Sequence, residues 1–184
     1  MSRVAVFYAD GFEEVEALAP VDLLRRGGVD TVTVSIMGRE VVHGSHGIDI
    51  KADTVVEELD FDSFDMIVLP GGKVGHENLE KCGMLRDKIS EFDKKGKYIA
   101  AICAAPTILG RMGILKGRDA TCYGGMEDAL DGANKLKDPV VVSDHVITSR
   151  GMGTSIEFGL KLIEVLTDRD NADKIGSSVM VPGM

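Results

Sequence analysis

The fold is decided by the stretch Lys97-Tyr98-Ile99-Ala100-Ala101-Ile102-Cys103-Ala104-Ala105-Pro106-Thr107-Ile108-Leu109-Gly110. Its continuous apolar run, Tyr98 to Ile102, is typical of a strand buried on both faces of a sheet. Pro106 fits the first turn of a helix, because the N–H that proline lacks would be unpaired there in any case. The stretch therefore predicts a strand, a sharp turn and a helix that continues to Met112, with Cys103 at the corner.

Cys103 has two interpretations in this setting. A thiol at a helix N-terminus lies near the positive end of the helix dipole and near unpaired N–H groups, and both favour the thiolate. The thiolate is the nucleophilic form, and a nucleophile on a strand-to-helix turn is a known catalytic arrangement. The alternative is a small, inert core residue, since free cysteines are often buried.

The composition indicates an ordinary globular protein. The chain has 184 residues, of which 44% are hydrophobic and 28% are charged, and these values are usual for a protein that buries one core. We find no linker, internal repeat or low-complexity segment in it. Residues 1–184 are therefore expected to form a single domain.

Charge and hydropathy argue against several classes of function. The net charge is −9, and the basic residues cluster only in pairs, so we expect no nucleic-acid partner. We expect no membrane segment and no secretion signal, because no apolar run reaches about 18 residues and the first residues lack a signal pattern. The three cysteines form an odd set without a CxxC pair. This argues against disulfides and a zinc site and favours a cytoplasmic protein without a metal.

Strand and helix patterns alternate along the chain, which predicts an α/β fold with a mostly parallel sheet and helices on both faces. Strands are predicted at residues 4–8, 31–36, 52–56, 65–69, 98–102, 119–122, 140–143 and 146–149. Helices are predicted at residues 13–26, 74–81, 84–94, 107–112 and 156–166, with a short helix in the tail and a small hairpin at 41–50. Pro20 is expected to kink or limit the first helix. Residues 127–136 read as a poor helix or a loop.

Five small or glycine-rich loops follow predicted strands, and the carboxyl ends of parallel strands share one edge, where ligands bind. We therefore expect them to form one site around Cys103. The loops are Asp10-Gly11, Pro70-Gly71-Gly72, Cys103-Ala104-Ala105, Tyr123-Gly124-Gly125 and Arg150-Gly151-Met152-Gly153.

Other residues of chemical interest have plainer interpretations. Glu13 and Glu14 fit simple charge complementation at a helix N-terminus. His43 and His46 lack a nearby third metal ligand in the sequence, so we expect surface or interface histidines. Cys82 and Cys122 are interpreted as structural or bystander thiols.

Four motifs resemble the ThiJ/PfpI superfamily over nearly the whole chain, and most closely its branch of the Parkinson-disease-associated protein deglycase (DJ-one) and its bacterial relatives. The motifs are Gly11-Phe12-Glu13-Glu14-Val15-Glu16, Leu69-Pro70-Gly71-Gly72, Ala101-Ile102-Cys103-Ala104-Ala105-Pro106 and Thr148-Ser149-Arg150-Gly151-Met152-Gly153-Thr154-Ser155-Ile156-Glu157-Phe158. The resemblance implies a flavodoxin-like three-layer sandwich, a homodimer and no cofactor.

The resemblance also implies roles for individual residues. It assigns Cys103 as the reactive, oxidation-prone thiol and Glu16 as the carboxyl group that hydrogen-bonds it; from the residues alone, Glu16 would be a solvated helix residue. The N–H groups of Gly72 and Ala104 would form an oxyanion or anion pocket. Candidate substrate contacts are Tyr123, Gly71 and Arg150.

Two functions follow from the resemblance. The first is a cysteine-dependent, glutathione-independent glyoxalase or deglycase that acts on methylglyoxal or on glyoxal-modified groups. The second is a non-enzymatic redox sensor or chaperone-like stress protein, in which Cys103 is oxidised to the sulfinate. A weaker alternative is an amide or peptide hydrolase.

The chain departs from the superfamily pattern at three positions. Peptidase-like members have histidine directly after the cysteine, and this chain has Ala104, so the motif supplies no base for a hydrolase. Tyr123 stands in a loop where some closer relatives place a histidine. Met152 replaces a proline that is frequent after Gly151.

Overall fold

The computed structural model of the protein describes residues 2–183. Its strands are β1 (Arg3–Tyr8), β2 (Asp30–Ser35), β3 (Val41–His43), β4 (Asp49–Lys51), β5 (Thr54–Val55), β6 (Met66–Leu69), β7 (Tyr98–Ile102), β8 (Asp119–Ala120), β9 (Asn134–Lys135), β10 (Val140–Ser143) and β11 (Val146–Ser149). Its α-helices are α1 (Glu14–Arg26), α2 (Lys73–Lys81), α3 (Gly83–Lys95), α4 (Pro106–Arg111), α5 (Ser155–Leu166) and α6 (Arg169–Ser178).

A seven-stranded sheet forms the middle layer, in the order β10-β11-β7-β6-β1-β2-β5. Every neighbouring pair is parallel except the β10–β11 hairpin, which turns at Asp144 with a φ of 53°. The hairpin at β3 and β4 pairs separately. The predicted α/β sandwich with a mostly parallel sheet is therefore confirmed.

The side chains of β1 show how the sheet is covered on both faces. Val4, Val6 and Tyr8 pack into one hydrophobic core with α1, α5 and α6, whereas Ala5 and Phe7 pack into the other with α2, α3 and α4. Alternate residues of a strand point to opposite faces. The layers of helices on both sides explain why the central strands read as unbroken apolar runs.

Three local predictions need correction. The predicted strand at 119–122 is only Asp119–Ala120, and it pairs with β9 outside the central sheet. Residues 127–136 form a short 3₁₀ turn and a two-residue strand. Helix α1 continues through the buried Pro20 to Arg26, so the proline does not limit the helix, although it cannot donate a hydrogen bond to the carbonyl of Glu16.

Within residues 2–183, the helices are too short or too polar to cross a bilayer.

Candidate active site

The residue at the centre of the site is Cys103, directly after β7. Its φ of 65° places a non-glycine residue in the left-handed region, which is sterically costly and is found where the surrounding structure enforces it. The Cys103 N–H donates to the carbonyl of Ser149 at 3.0 Å, and the Cys103 carbonyl accepts from the N–H of Tyr123 at 2.8 Å. These two bonds hold the turn between β7 and α4, which begins at Pro106, one residue before the predicted start, with the proline in its first turn as expected.

Two backbone N–H groups are directed at the Cys103 sulfur, those of Gly72 and Ala104. Gly72 ends the loop after β6 with a φ of 91°. A Cβ there would collide with the carbonyl oxygen of Gly11 and lie 2.7 Å from the Glu13 nitrogen, so only glycine fits. The strands β6 and β7 thus bring two donors to one sulfur atom.

Glu16 supplies the third partner of the thiol. Its side chain is buried, with 1% of the residue exposed, and it hydrogen-bonds the Cys103 thiol. Its Oε2 accepts from the Gly71 N–H at 3.0 Å, and the N–H of Met152 also donates to it. The alternative of a solvated helix residue is therefore wrong for Glu16.

The start of α1 explains how Glu16 is held. Glu13 is the N-cap of this helix, and its Oε2 accepts from the backbone N–H of Glu16 at 2.7 Å. Glu13 thus lies at the helix N-terminus as expected, but as a hydrogen-bonding cap and not only as a charge that complements the helix dipole. Sequence reasoning missed the backbone of Met152 as a partner of Glu16, because a backbone donor leaves no signal in side-chain identity.

The pKa values of Glu16 and Cys103 are both raised. Burial raises the pKa of Glu16 to about 7, against the lowering effect of its bond with Cys103. Burial first, and then the charge of Glu16, raise the pKa of Cys103 to about 12, although the N–H groups of Gly72 and Ala104 act to lower it. The turn alone therefore does not give a free thiolate: above about pH 7 the pair of coupled acids retains one proton.

The remaining predicted residues lie around this pair. A Cβ built on Gly151 would lie 4.0 Å from the Cys103 sulfur, 3.8 Å from Glu16 Oε1 and 3.6 Å from the Tyr123 ring, so the glycine leaves space beside the sulfur. Tyr123 itself is 54% exposed. Arg150 donates from Nη1 to the carbonyl of Lys137 at 3.2 Å, which places it at the rim.

The structure thus brings the five predicted loops to one edge. Tyr123 reaches the site although β8 lies outside the central sheet. Two hydrogen bonds hold this segment in place: the Tyr123 N–H donates to the carbonyl of Cys103, and the Thr121 N–H donates to Thr148 Oγ1 at 3.0 Å. Cys82 is half-buried and Cys122 buried, and both are free thiols. Burial raises the pKa of Cys122 to about 11, as suits a bystander.

A second group lies beside the site, at Glu13, Glu14 and His46, whose ligand atoms fall within 4.8 Å of one another. His46 is exposed, as expected of a surface histidine, but folding brings α1 against the β3–β4 hairpin and gives His46 two acidic neighbours. Glu14 is buried and accepts from the His46 N–H at 2.5 Å and contacts its Nδ1 at 2.7 Å. Burial by itself would raise the pKa of Glu14, but its hydrogen bonds with His46 lower it, and Glu14 in turn raises the pKa of His46. Both Glu14 oxygens are engaged by protein groups, so the cluster is explained as a tie between hairpin and helix.

Fold and site together define a class: a flavodoxin-like α/β sandwich with a cysteine–glutamate pair at the carboxyl ends of its parallel strands. Residues 2–165 match the model of the DJ-1/PfpI family. Drosophila melanogaster protein dj-1beta is 36% identical over 98% of this chain and 98% of its own length. The chain belongs to the DJ-1/PfpI family.

Two further relatives, one of them named for an activity, and one solved structure are also similar to this chain. Protein DJ-1 homolog A of Arabidopsis thaliana is 38% identical over 97% of this chain, which spans 46% of that longer protein. A Caenorhabditis elegans protein named glutathione-independent glyoxalase DJR-1.2 is 35% identical over 89% of this chain and 87% of its own. The solved structure of oxidized Toxoplasma gondii DJ-1 is 35% identical and has a TM-score of 0.95, covering 99% of this chain and 100% of that one.

Proposed function

We propose that the protein is a glutathione-independent glyoxalase that converts methylglyoxal to lactate through a covalent bond to Cys103. One observation carries the proposal: the Cys103 sulfur contacts a carboxyl group able to exchange protons at neutral pH and, beside it, two N–H donors. The relative named as a glutathione-independent glyoxalase supports this reaction class.

The first step forms the carbon–sulfur bond. The proton of the pair moves to Glu16, the sulfur adds to the aldehyde carbon, and Glu16 protonates the resulting alkoxide to give a hemithioacetal. The N–H groups of Gly72 and Ala104 are suited to stabilise the negative charge as it moves from sulfur to oxygen. The protein thiol takes the part that glutathione would otherwise play, so no co-substrate is needed.

The second step moves a proton between neighbouring carbons. Glu16, now a carboxylate, removes the proton from the former aldehyde carbon to give an enediolate and returns it to the former ketone carbon. The hydroxyl proton on the former aldehyde carbon passes to the neighbouring oxygen, so that the product is the thioester of a 2-hydroxy acid. One carbon is oxidised and the other reduced, so no external oxidant is required. Water then attacks the thioester, the carbon–sulfur bond breaks, and lactate leaves. A carboxyl group with a pKa of about 7 is well matched to such proton transfers.

The same chemistry extends to aldehyde groups that have already reacted with amines or thiols, which is the deglycase activity. Gly71, Tyr123 and Arg150 are proposed as substrate contacts, because they border the space beside the sulfur or its rim. Tyr123 is placed to donate a hydrogen bond to a substrate oxygen, and Glu16 is the proposed carrier of the proton.

The test is lactate formation from methylglyoxal without glutathione. Wild type is expected to turn over, and Cys103→Ala and Glu16→Ala are each expected to lose at least a hundredfold in kcat/KM. Cys82→Ala, which alters a thiol away from the site, serves as the matched control and keeps its rate. Full activity in either site variant would overturn the mechanism.

A second candidate function is redox sensing by Cys103. Two N–H donors and a protonated Glu16 are suited to bind the oxygens of a cysteine sulfinate, and a solved relative is oxidized Toxoplasma gondii DJ-1. After mild peroxide, mass spectrometry is expected to find two added oxygens on Cys103 alone. Equal oxidation of the half-buried Cys82 would count against this function. Chaperone-like action, a cytoplasmic setting and a homodimer belong to the same proposal, whereas a hydrolase is disfavoured by Ala104.

A further inference from the structure

A buried histidine lies directly behind the loop that carries the Gly72 donor. His76, in the first turn of α2, is only 5% exposed. Its ring Nδ1 lies 3.0 Å from the carbonyl oxygen of Gly72. The mechanism above does not use this side chain, and the sequence motifs did not single it out.

The partner of Nδ1 fixes the proton on the ring. A carbonyl oxygen only accepts, so Nδ1 must carry the hydrogen, and it does so in the neutral tautomer protonated at Nδ1 and in the imidazolium alike. The Gly72 carbonyl therefore receives two donors, this ring N–H and the backbone N–H of His76, also at 3.0 Å.

Gly72 links His76 to the Cys103 thiol through its backbone. Its N–H faces the Cys103 sulfur, and its C=O faces His76, so one residue's φ and ψ set both directions. That backbone, with φ 91° and ψ 136°, is one that side chains rarely adopt and glycine leaves easily. The Gly71 carbonyl, in the same peptide as the Gly72 N–H, accepts from the Glu13 N–H at 3.2 Å, so Glu13 holds one end of this peptide and the bond of Gly72 to His76 holds the residue at its other end.

We propose that His76 is a positioning residue: its Nδ1–H bond to the Gly72 carbonyl keeps the Gly72 N–H aimed at the Cys103 sulfur and so sustains the reactivity of that thiol. The inference rests on the proposed role of Cys103 as the reactive thiol. The inference adds His76, which lies outside the family motifs, to the residues that control the reactivity of the Cys103 thiol.

The test compares two amide variants that differ in where they place a donor. In His76→Asn the amide nitrogen stands close to the position of Nδ1, whereas in His76→Gln it stands close to that of Nε2 and away from Gly72. Both are polar, and Gln has the higher helix propensity, so helix propensity alone would favour the variant that is expected to lose reactivity. The measurement is the rate of Cys103 alkylation by iodoacetamide as a function of pH, followed by mass spectrometry, with thermal unfolding of each variant as the check on folding.

The proposal predicts a split between the variants. His76→Asn should keep the wild-type rate at pH 7.5 within about twofold, and His76→Gln should lose about tenfold, the effect of one hydrogen bond, with its pH profile displaced upward. Equal profiles in wild type and His76→Gln, or an equal loss in both variants, would overturn the inference.

The readout separates this inference from the proposed function. Alkylation reports the reactivity of the thiol and needs no turnover, so a reactive Cys103 with no dependence on His76 contradicts only the inference. A wild-type Cys103 that does not alkylate contradicts the reactive-thiol role and the inference with it. If His76→Gln fails to fold and His76→Asn folds with wild-type reactivity, His76→Ala replaces it as the variant without a donor.

Discussion

Glu16 and Cys103 are two acids in one buried contact, and burial raises the pKa of both. The active form under the proposed mechanism is the state in which the pair holds one proton, since the attack needs a thiolate and a proton on Glu16. Below the first ionisation both groups are protonated and the sulfur is a poor nucleophile. The pH dependence of the reaction therefore reports on the pair and not on either residue alone.

The first prediction is a pH profile. With a first ionisation near 7 and a second well above it, log kcat/KM for methylglyoxal should rise with a slope of about one below pH 7 and level off above. The measurement is initial rates from pH 5 to 9. Glu16→Gln should abolish the rise centred near pH 7 along with most of the activity, and a wild-type profile flat from pH 5 to 9 would contradict this assignment.

The second prediction concerns stability. Unfolding returns Glu16 toward its ordinary pKa of 4.5 from about 7. Between those values the native state holds a proton that the unfolded state has lost, so stability falls as pH rises through this window. The free energy of unfolding of Glu16→Gln relative to wild type should therefore increase by up to about 3 kcal/mol from pH 4 to pH 8.

Chemical denaturation at the two pH values measures this difference. Glu157→Gln, at an exposed position of α5, is the control and should change equally at both. If the difference in unfolding free energy between Glu16→Gln and wild type did not depend on pH, burial would not disfavour the charged form of the Glu16 carboxyl group.

The loop between β6 and α2 packs against the glutamate and the cysteine at its backbone. A Cβ on Gly71 would lie 2.6 Å from Glu16 Oε2 and 2.7 Å from Cys103 Cβ, so any side chain would push the pair apart. This close approach, more than the conformation of the turn, explains why residue 71 is a glycine.

The third prediction follows from this packing. Gly71→Ala should destabilise the protein by about 2 kcal/mol, as overpacking does, and reduce turnover at least a hundredfold. Gly83→Ala is the control, since a Cβ there meets open space, and it should be neutral or slightly stabilising. Thermal unfolding and turnover check both. Normal activity in Gly71→Ala would contradict the geometry of the site.

The central strands and the Cys103 turn were predictable because they depend on local pattern. The apolar run at β7 and Pro106 placed the turn correctly, and glycine-rich loops after strands indicated the edge where they meet. The sequence could not predict that β8 lies outside the central sheet, because its pairing with β9 depends on residues that are distant from β8 in the sequence. The same holds for the tie between Glu14 and His46, and for the bond of His76 to Gly72, which joins a side chain to a backbone atom.

The molecule exposes apolar side chains next to the site. Val15 and Leu18 of α1 are 44% and 40% exposed, and Ile156 of α5, which packs beside α1, is 40% exposed. Positions 15 and 18 share one helix face. Such a patch is consistent with the homodimer that the family resemblance implies.

The fourth prediction tests this association. Wild type should elute as a dimer in size-exclusion chromatography with light scattering, and Leu18→Arg should elute as a monomer, because the charge would be buried without a partner. Val142→Arg, at an equally exposed position on β10 (44%), should remain dimeric. A wild-type monomer would contradict the homodimer without touching the chemistry at Cys103.

The covalent bond between Cys103 and substrate is the central claim, and an acid quench of the enzyme during methylglyoxal turnover tests it most directly. We predict that mass spectrometry finds the added mass of one methylglyoxal on Cys103, released by hydroxylamine as a thioester should be, and absent from Cys82 and Cys122. Glu16→Gln should not accumulate the hydroxylamine-sensitive adduct, because the thioester forms only after proton transfer. Lactate formed at the full rate with Cys103 unmodified throughout would contradict the account.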